Sequence, residues 1–238
     1  MHKNLKSTPK SLVKHLIRYH YRDRKVSPQK IFNIMSEFTK GFELLSKYKK
    51  AASIYGTSRC GFESDIYKEA CQLSFSLAKD GFAIITGGGP GIMEAANKGA
   101  LNAGGGSVGL NIRLKNKQQL NRYVKESEAF DYFFVRKTML AFASEIYIFF
   151  PGGFGTLDEF FEMVMLVQTE KIKRIPIILI NRDYWTPLLE WIKHYTYEKN
   201  HLVDRRDLEI YYLTDNADEA YNLIKTLDLL RNKKSTTN

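Results

Sequence analysis

Cysteine is scarce: Cys60 and Cys71 are the only two in 238 residues. Two cysteines cannot build a disulfide framework, and this pair lacks the spacing of a zinc site, so a disulfide-stapled fold is excluded and a reducing compartment is expected. Long hydrophobic runs are missing as well. No stretch approaches the ~20 apolar residues that span a bilayer, which excludes a membrane-spanning helix. Beyond residue 20 the only histidines are His194 and His201, neither with a ligand partner at useful spacing, so neither zinc nor histidine-based catalysis is expected. Internal repeats are absent, and the only biased segment is the polar end at residues 233–238. What is present is 44% apolar and 26% charged residues, the balance of a soluble globular protein with a real core, expected in the cytoplasm.

Acidic residues are rare only at the start. Residues 1–50 hold 13 Lys/Arg against Asp23, Glu37 and Glu43, which accounts for the whole net charge of +10; the rest of the chain is formally neutral. Such a basic arm serves either as a solvated tail or as an electrostatic handle for something anionic. Lys14, His15, Arg18, His20, Arg22 and Arg24 interrupt any apolar region that a secretory signal would need. Ser27-Pro28 then opens a helix with an apolar face at Ile31, Phe32, Met35, Phe38, Phe42 and Leu45.

From Ala51 onward, short apolar runs closed by glycines alternate with helical stretches, the signature of a parallel α/β sheet. Strands are expected at 52–56, 83–86, 107–111, 130–134, 146–150, 176–180 and 210–213, and helices at 64–79, 92–103, 136–143, 157–169, 187–196 and 218–231. The expected fold is a Rossmann-like, open, mostly parallel sheet of about seven strands flanked by helices, behind a basic helical N-terminal extension. The expected division is 1–50 extension, 51–232 nucleotide-binding domain and 233–238 tail. Parallel sheets bind ligands beyond the carboxyl ends of their strands, which directs attention to the loops after Tyr55, Thr86, Phe134 and Phe150.

Two of these loops are rich in glycine. The first, Thr86 to Glu94, contains Gly87, Gly88, Gly89, Pro90 and Gly91 between a strand and a helix, where backbone N–H groups can face an anion. It is not a dinucleotide fingerprint, because Ile92 stands where a glycine is needed, and it lacks the Gly-Lys-Ser/Thr ending of a Walker loop. A tight turn that simply needs small residues explains it equally well. The second loop, Pro151 to Glu159, contains Gly152, Gly153, Gly155 and Thr156. Thr156 and Glu159 have the spacing of a capping box, the structural alternative to a phosphate cradle with a carboxylate facing the ligand. Arg136-Lys137, after the aromatic run Tyr132-Phe133-Phe134, reads on pattern alone as a solvated helix start, with a bidentate anion clamp as the functional alternative.

Together, Gly87 to Met93, Arg136-Lys137 and Pro151 to Glu159 resemble the Lonely guy (LOG) family, over residues 51 to about 200. Phe133 to Met139 and Gln168-Thr169 are similar to the bacterial branch often mislabelled as lysine decarboxylase. The resemblance implies a Rossmann-like homodimer that hydrolyses the N-glycosidic bond of a nucleoside 5′-monophosphate, an N6-substituted AMP or AMP itself, to free base and ribose 5-phosphate. It implies Arg136 and Glu159 as catalytic residues. Gly88, Gly89, Gly91, Lys137, Gly152, Gly153, Gly155 and Thr156 would hold the phosphate and nucleotide. Met93 and Glu94 are candidates for ribose or base contacts, with capping of its own helix the alternative for Glu94; Glu94 departs from the glycine of plant-type members. No metal and no cofactor are implied. A carboxylate can stabilise the oxocarbenium character that develops at the ribose and activate water, and Arg136 can fix the substrate relative to it. The apolar residues Phe160, Phe161, Met163, Val164 and Val167 are expected to form either core or dimer interface.

Three other readings compete. A decarboxylase would need a Schiff-base lysine in a setting such as Ser-x-His-Lys, which is missing. A molybdenum-cofactor or nucleotide carrier would bind without turnover. A nucleic-acid binder would use Tyr19 and Tyr21 among the charges of the arm.

Overall fold

The computed structural model describes residues 26–113 and 119–235. Contacts group the chain into two units, residues 1–36 and 37–238. The basic arm before Val26 lies outside the described residues. Helix α1 (Pro28–Leu45) starts at the proline, and the Ser27 hydroxyl accepts a hydrogen bond from the Lys30 N–H at 3.3 Å, as an N-cap serine does. In the first unit Ile31, Phe32 and Met35 are exposed.

In the second unit the strands are β1 (Ala51–Tyr55), β2 (Ala83–Thr86), β3 (Ser107–Ile112), β4 (Glu126–Phe130), β5 (Ile146–Phe149), β6 (Ile177–Ile180) and β7 (Tyr211–Thr214). The helices are α2 (Asp65–Lys79), α3 (Ile92–Asn102), α4 (Phe133–Ala141), α5 (Phe154–Gln168), α6 (Arg182–Trp191) and α7 (Ala217–Ser235). All seven strands are parallel, in the order β4-β3-β2-β1-β5-β6-β7, so the expected Rossmann-like α/β fold is present. Strands β2, β1, β5 and β6 are buried at every position, which is why they appear in the sequence as runs that are apolar except at Ser53 and Thr86. The strand order reverses between β1 and β5, and that switch point opens a crevice at their carboxyl ends.

One strand is misplaced by the sequence reading. The aromatic run expected as strand 130–134 instead begins helix α4, and β4 is the polar Glu126-Ser127-Glu128-Ala129-Phe130. As an edge strand β4 has no need of an apolar pattern, while Phe133 and Phe134 are exposed on the first turn of α4. Arg136 and Lys137 therefore stand within helix α4, which begins three residues earlier than the expected helix 136–143, and not directly after a strand. The start of α4 is held from outside by Glu37, whose carboxylate accepts the Asp131 and Tyr132 N–H groups at 2.8 and 3.3 Å. The expected apolar face of α1 is also revised: in its second half Leu44 and Leu45 are buried and Phe42 is exposed.

Candidate active site

A cavity of about 780 Å³ lies at the switch point, within the usual range for small-molecule sites. It is built from three loops and one helix face. After β1 come Tyr55 to Arg59; after β2 come Gly87, Pro90 and Met93; after β5, at the start of α5, come Gly153 to Thr156 with Asp158 and Glu159; α4 contributes Phe133 and Arg136.

The three loops are sewn together by backbone. The Thr57 N–H donates to the Pro151 carbonyl at 2.9 Å, and the Ile92 N–H donates to the Thr57 carbonyl at 2.9 Å. This explains Gly91, which adopts φ +73°: a Cβ there would lie 2.3 Å from the Thr57 oxygen. Gly91→Ala combines a left-handed backbone with a backbone clash, and should cost roughly 2–5 kcal/mol. Urea unfolding measures this, and a loss below about 0.5 kcal/mol would mean that the loops are not locked together as described. Behind the first glycine loop a buried polar network fixes its path. The Asn97 side-chain oxygen accepts from Thr86 Oγ1 (2.7 Å) and Asn121 Nδ2 (3.0 Å), and Asn121 Nδ2 also donates to the Gly89 carbonyl at 3.0 Å.

The centre of the site is an ion pair. Arg136 Nη1 donates to Glu159 Oε1 at 3.3 Å, and Arg136 Nε donates to the Leu110 carbonyl at 3.2 Å. Gly87 makes room for that guanidinium, since a Cβ there would lie 2.4 Å from Arg136 Nη2. Both side chains are largely buried. Burial pushes the Glu159 carboxyl up to about 7, against the opposing pull of Arg136 and Lys137. It can therefore exchange a proton near neutral pH. Tyr55, stacked on Phe149 at 4.7 Å, is held well above its ordinary value by burial and by the Glu159 charge, so it stays a neutral wall of the cavity. Lys137 bonds Asp158 and lies 3.3 Å from Glu162. Burial opposes its charge, but these carboxylates outweigh burial and raise its pKa.

The raised carboxyl has a thermodynamic consequence. Folded Glu159 binds its proton more tightly than an ordinary carboxyl at 4.5, so its contribution to stability is complete below pH 4.5 and is lost as pH rises through 7. Relative to Glu159→Gln, the wild type should lose about 3 kcal/mol of stability between pH 4.5 and 8. Parallel stability curves in urea across that range would contradict a buried, proton-holding Glu159.

Of the residues singled out from sequence, Met93, Arg136, Gly153, Gly155, Thr156 and Glu159 line the cavity. Gly88, Gly89, Gly91, Gly152, Lys137 and Glu94 are not in its wall. Glu94 instead acts electrostatically on Cys60, Tyr67 and Arg122. The Gly152 carbonyl accepts a hydrogen bond from Tyr184 of α6. The capping-box alternative fails: the N-cap of α5 is Gly153, Thr156 lies within the first turn, and Glu159 turns to Arg136. Reasoning from sequence passed over Thr57, Ser58 and Arg59, although their loop follows a central strand of the sheet. The apolar run of α5 divides, with Phe160, Met163 and Val167 buried and Phe161 and Met165 exposed. Among the described residues no group of three or more His, Cys, Asp or Glu could hold a metal, and no helix is long and apolar enough to cross a membrane.

A parallel sheet with two glycine loops at its switch point and a buried guanidinium–carboxylate pair between them defines a Rossmann-like α/β protein with a small-molecule cavity. The chain belongs to the LOG family: the family model described as "Possible lysine decarboxylase" matches residues 93–224, more than half of its length. Among curated proteins, it is 28% identical over 156 residues to "Probable cytokinin riboside 5'-monophosphate phosphoribohydrolase LOGL5" of Oryza sativa subsp. japonica, covering 64% of this chain and 63% of that protein. It is 30% identical over 154 residues to "Cytokinin riboside 5'-monophosphate phosphoribohydrolase LOG1" of Arabidopsis thaliana, covering 63% of this chain and 71% of that one. The chain thus spans less than two thirds of the length of the rice relative. Among solved structures, the molybdenum cofactor binding protein of Rippkaea orientalis superposes with a TM-score of 0.58 at 22% identity, covering 75% of this chain and 97% of that one. The molybdenum cofactor carrier protein of Chlamydomonas reinhardtii gives 0.57 at 19% identity, covering 75% and 98%. These two likenesses concern the fold.

Proposed function

We propose that the protein hydrolyses the N-glycosidic bond of a nucleoside 5′-monophosphate, AMP or an N6-substituted AMP, releasing the free base and ribose 5-phosphate. The observation that carries this reading is Glu159, a buried carboxyl with its pKa raised to about 7, paired with Arg136 in the wall of a nucleotide-sized cavity. Family membership and relatives named as phosphoribohydrolases support it.

In this reading the phosphate lies against the N-terminus of α5, where Gly153, Gly155 and Thr156 present backbone N–H groups and the helix dipole favours an anion. Gly88, Gly89, Gly91 and Gly152 shape the loops that carry these contacts, and Lys137 supports the site through Asp158. Met93 borders the ribose and base. As the C1′–N bond breaks, its electron pair leaves with the base and positive charge grows on the ribose; the Glu159 carboxylate stabilises that charge and takes a proton from the attacking water, whose oxygen becomes the new C1′ hydroxyl, while the base nitrogen gains one proton, so that one water is added across the bond. Arg136 holds Glu159 in place and offsets charge on the substrate.

The domain assignment follows: residues 51–232 carry catalysis, residues 1–50 form an extension and residues 233–238 a tail, in a cytoplasmic homodimer. The exposed Phe161 and Met165 on α5, with Phe134 and Phe142 on and after α4, support a subunit interface there. A pyridoxal phosphate enzyme is disfavoured because no lysine is among the described residues lining the cavity.

The test is to incubate AMP, N6-isopentenyl-AMP and adenosine with purified protein and separate the products. Free base from the monophosphates is expected, and much less from adenosine. Tight AMP binding with no base released from either monophosphate would overturn the hydrolase and favour a carrier.

A further inference from the structure

The cavity wall holds four charged side chains: Arg59, Arg136, Asp158 and Glu159. Three of them are already engaged. Arg136 and Glu159 pair with each other, and Asp158 pairs with Lys137, which is outside the wall. Arg59 is exposed, and among the described residues no carboxylate comes within ion-pair distance of it. The resting cavity therefore has one cation to spare, the balance that suits an anionic ligand.

Its backbone, by contrast, is fixed. The Arg59 N–H donates to Thr57 Oγ1 at 3.1 Å, and Thr57 is bonded by its N–H to Pro151 of the second glycine loop and by its carbonyl to Ile92 beyond the first. The Pro151 bond ties this loop to the residues that lead into the N-terminus of α5. A guanidinium on an anchored backbone, lining the same cavity as a helix N-terminus, can meet two oxygens of one phosphate through its planar fork.

We propose that Arg59 is the phosphate-recognising side chain of the site, and that it makes the enzyme choose nucleoside monophosphates over nucleosides. This deepens the hydrolase reading and rests on it for the identity of the substrate. The helix N-terminus would receive the phosphate from one side and Arg59 from the other, leaving the Arg136–Glu159 pair for the glycosidic bond.

The experiment compares wild type, Arg59→Met and Arg59→Lys in steady-state kinetics on AMP and adenosine, with calorimetric binding of ribose 5-phosphate as a second readout. In Arg59→Met, KM for AMP should rise roughly 10–100-fold with a much smaller fall in kcat, as for loss of a charge-assisted hydrogen bond. The preference for AMP over adenosine should shrink by a similar factor, and ribose 5-phosphate should bind correspondingly more weakly. Arg59→Lys should recover part of the loss, because it keeps the charge but not the fork. A preference and a ribose 5-phosphate affinity that both stay at wild-type values in Arg59→Met would overturn the proposal, as would a wild type that binds neither AMP nor ribose 5-phosphate. If ligand binding depends on Arg59 but no base is released by the wild type, the hydrolase reading fails and the phosphate assignment stands.

Discussion

Glu159→Gln should lower kcat for release of base from AMP by about 10²–10⁴, the usual contribution of a positioned acid–base group. Glutamine preserves the volume and still offers an oxygen to Arg136 Nη1, now 3.3 Å from Glu159 Oε1, so the cavity should keep its shape. It cannot take a proton from water or carry the charge that balances an oxocarbenium-like ribose. KM for AMP should change far less than kcat, since a group whose work is done in the transition state contributes little to ground-state binding. Activity within a few-fold of wild type would remove Glu159 from the chemistry. An equal loss of AMP binding and turnover would reduce it to a structural role.

Arg136→Met has the second large effect, and it has a pH signature. The substitution leaves a buried carboxyl without its cation, and the carboxyl responds by holding its proton more tightly. The Arg136 charge is the largest influence opposing burial at Glu159, so without it the carboxyl must move above about 7. Activity that needs ionised Glu159 rises with pH through that group's pKa, so the acidic limb of the rate profile should shift to higher pH in the variant. At neutral pH kcat/KM should fall about 10²-fold or more, combining the protonated base with lost electrostatic stabilisation. A profile whose acidic limb stays in place would show that Arg136 does not govern Glu159.

The fold was largely legible in the sequence because central parallel strands are buried on both faces. Ala83 to Thr86 and Ile146 to Phe149 could be assigned by composition alone, and glycines marked where their loops begin. Strand β4 was not, because an edge strand carries no apolar signal and the neighbouring aromatics, which look like a strand, start a helix at the surface. The cavity wall was legible where a motif carries it, at Arg136, Gly153, Gly155, Thr156 and Glu159. It was not legible at Arg59, whose proposed role rests on hydrogen bonds linking Thr57 to Pro151 and Ile92, residues 94 and 35 positions further along the chain. Sequence spacing holds no trace of such contacts. The same limit applies to Glu94: its place after Met93 suggested the ligand, but it is not among the residues that line the cavity. Thr156 and Glu159 matched a capping box by spacing, yet the helix begins at Phe154, which puts Thr156 one turn too deep to cap.

The most direct measurement is the stoichiometry of products when the wild-type protein turns over AMP, with Glu159→Gln as the matched blank. Adenine and ribose 5-phosphate should appear in equal amounts, without added phosphate or cofactor, and production should fall to near background in the variant. Equal product formation by both proteins, or AMP bound and recovered intact from the wild type, would contradict glycosidic hydrolysis at the Arg136–Glu159 pair.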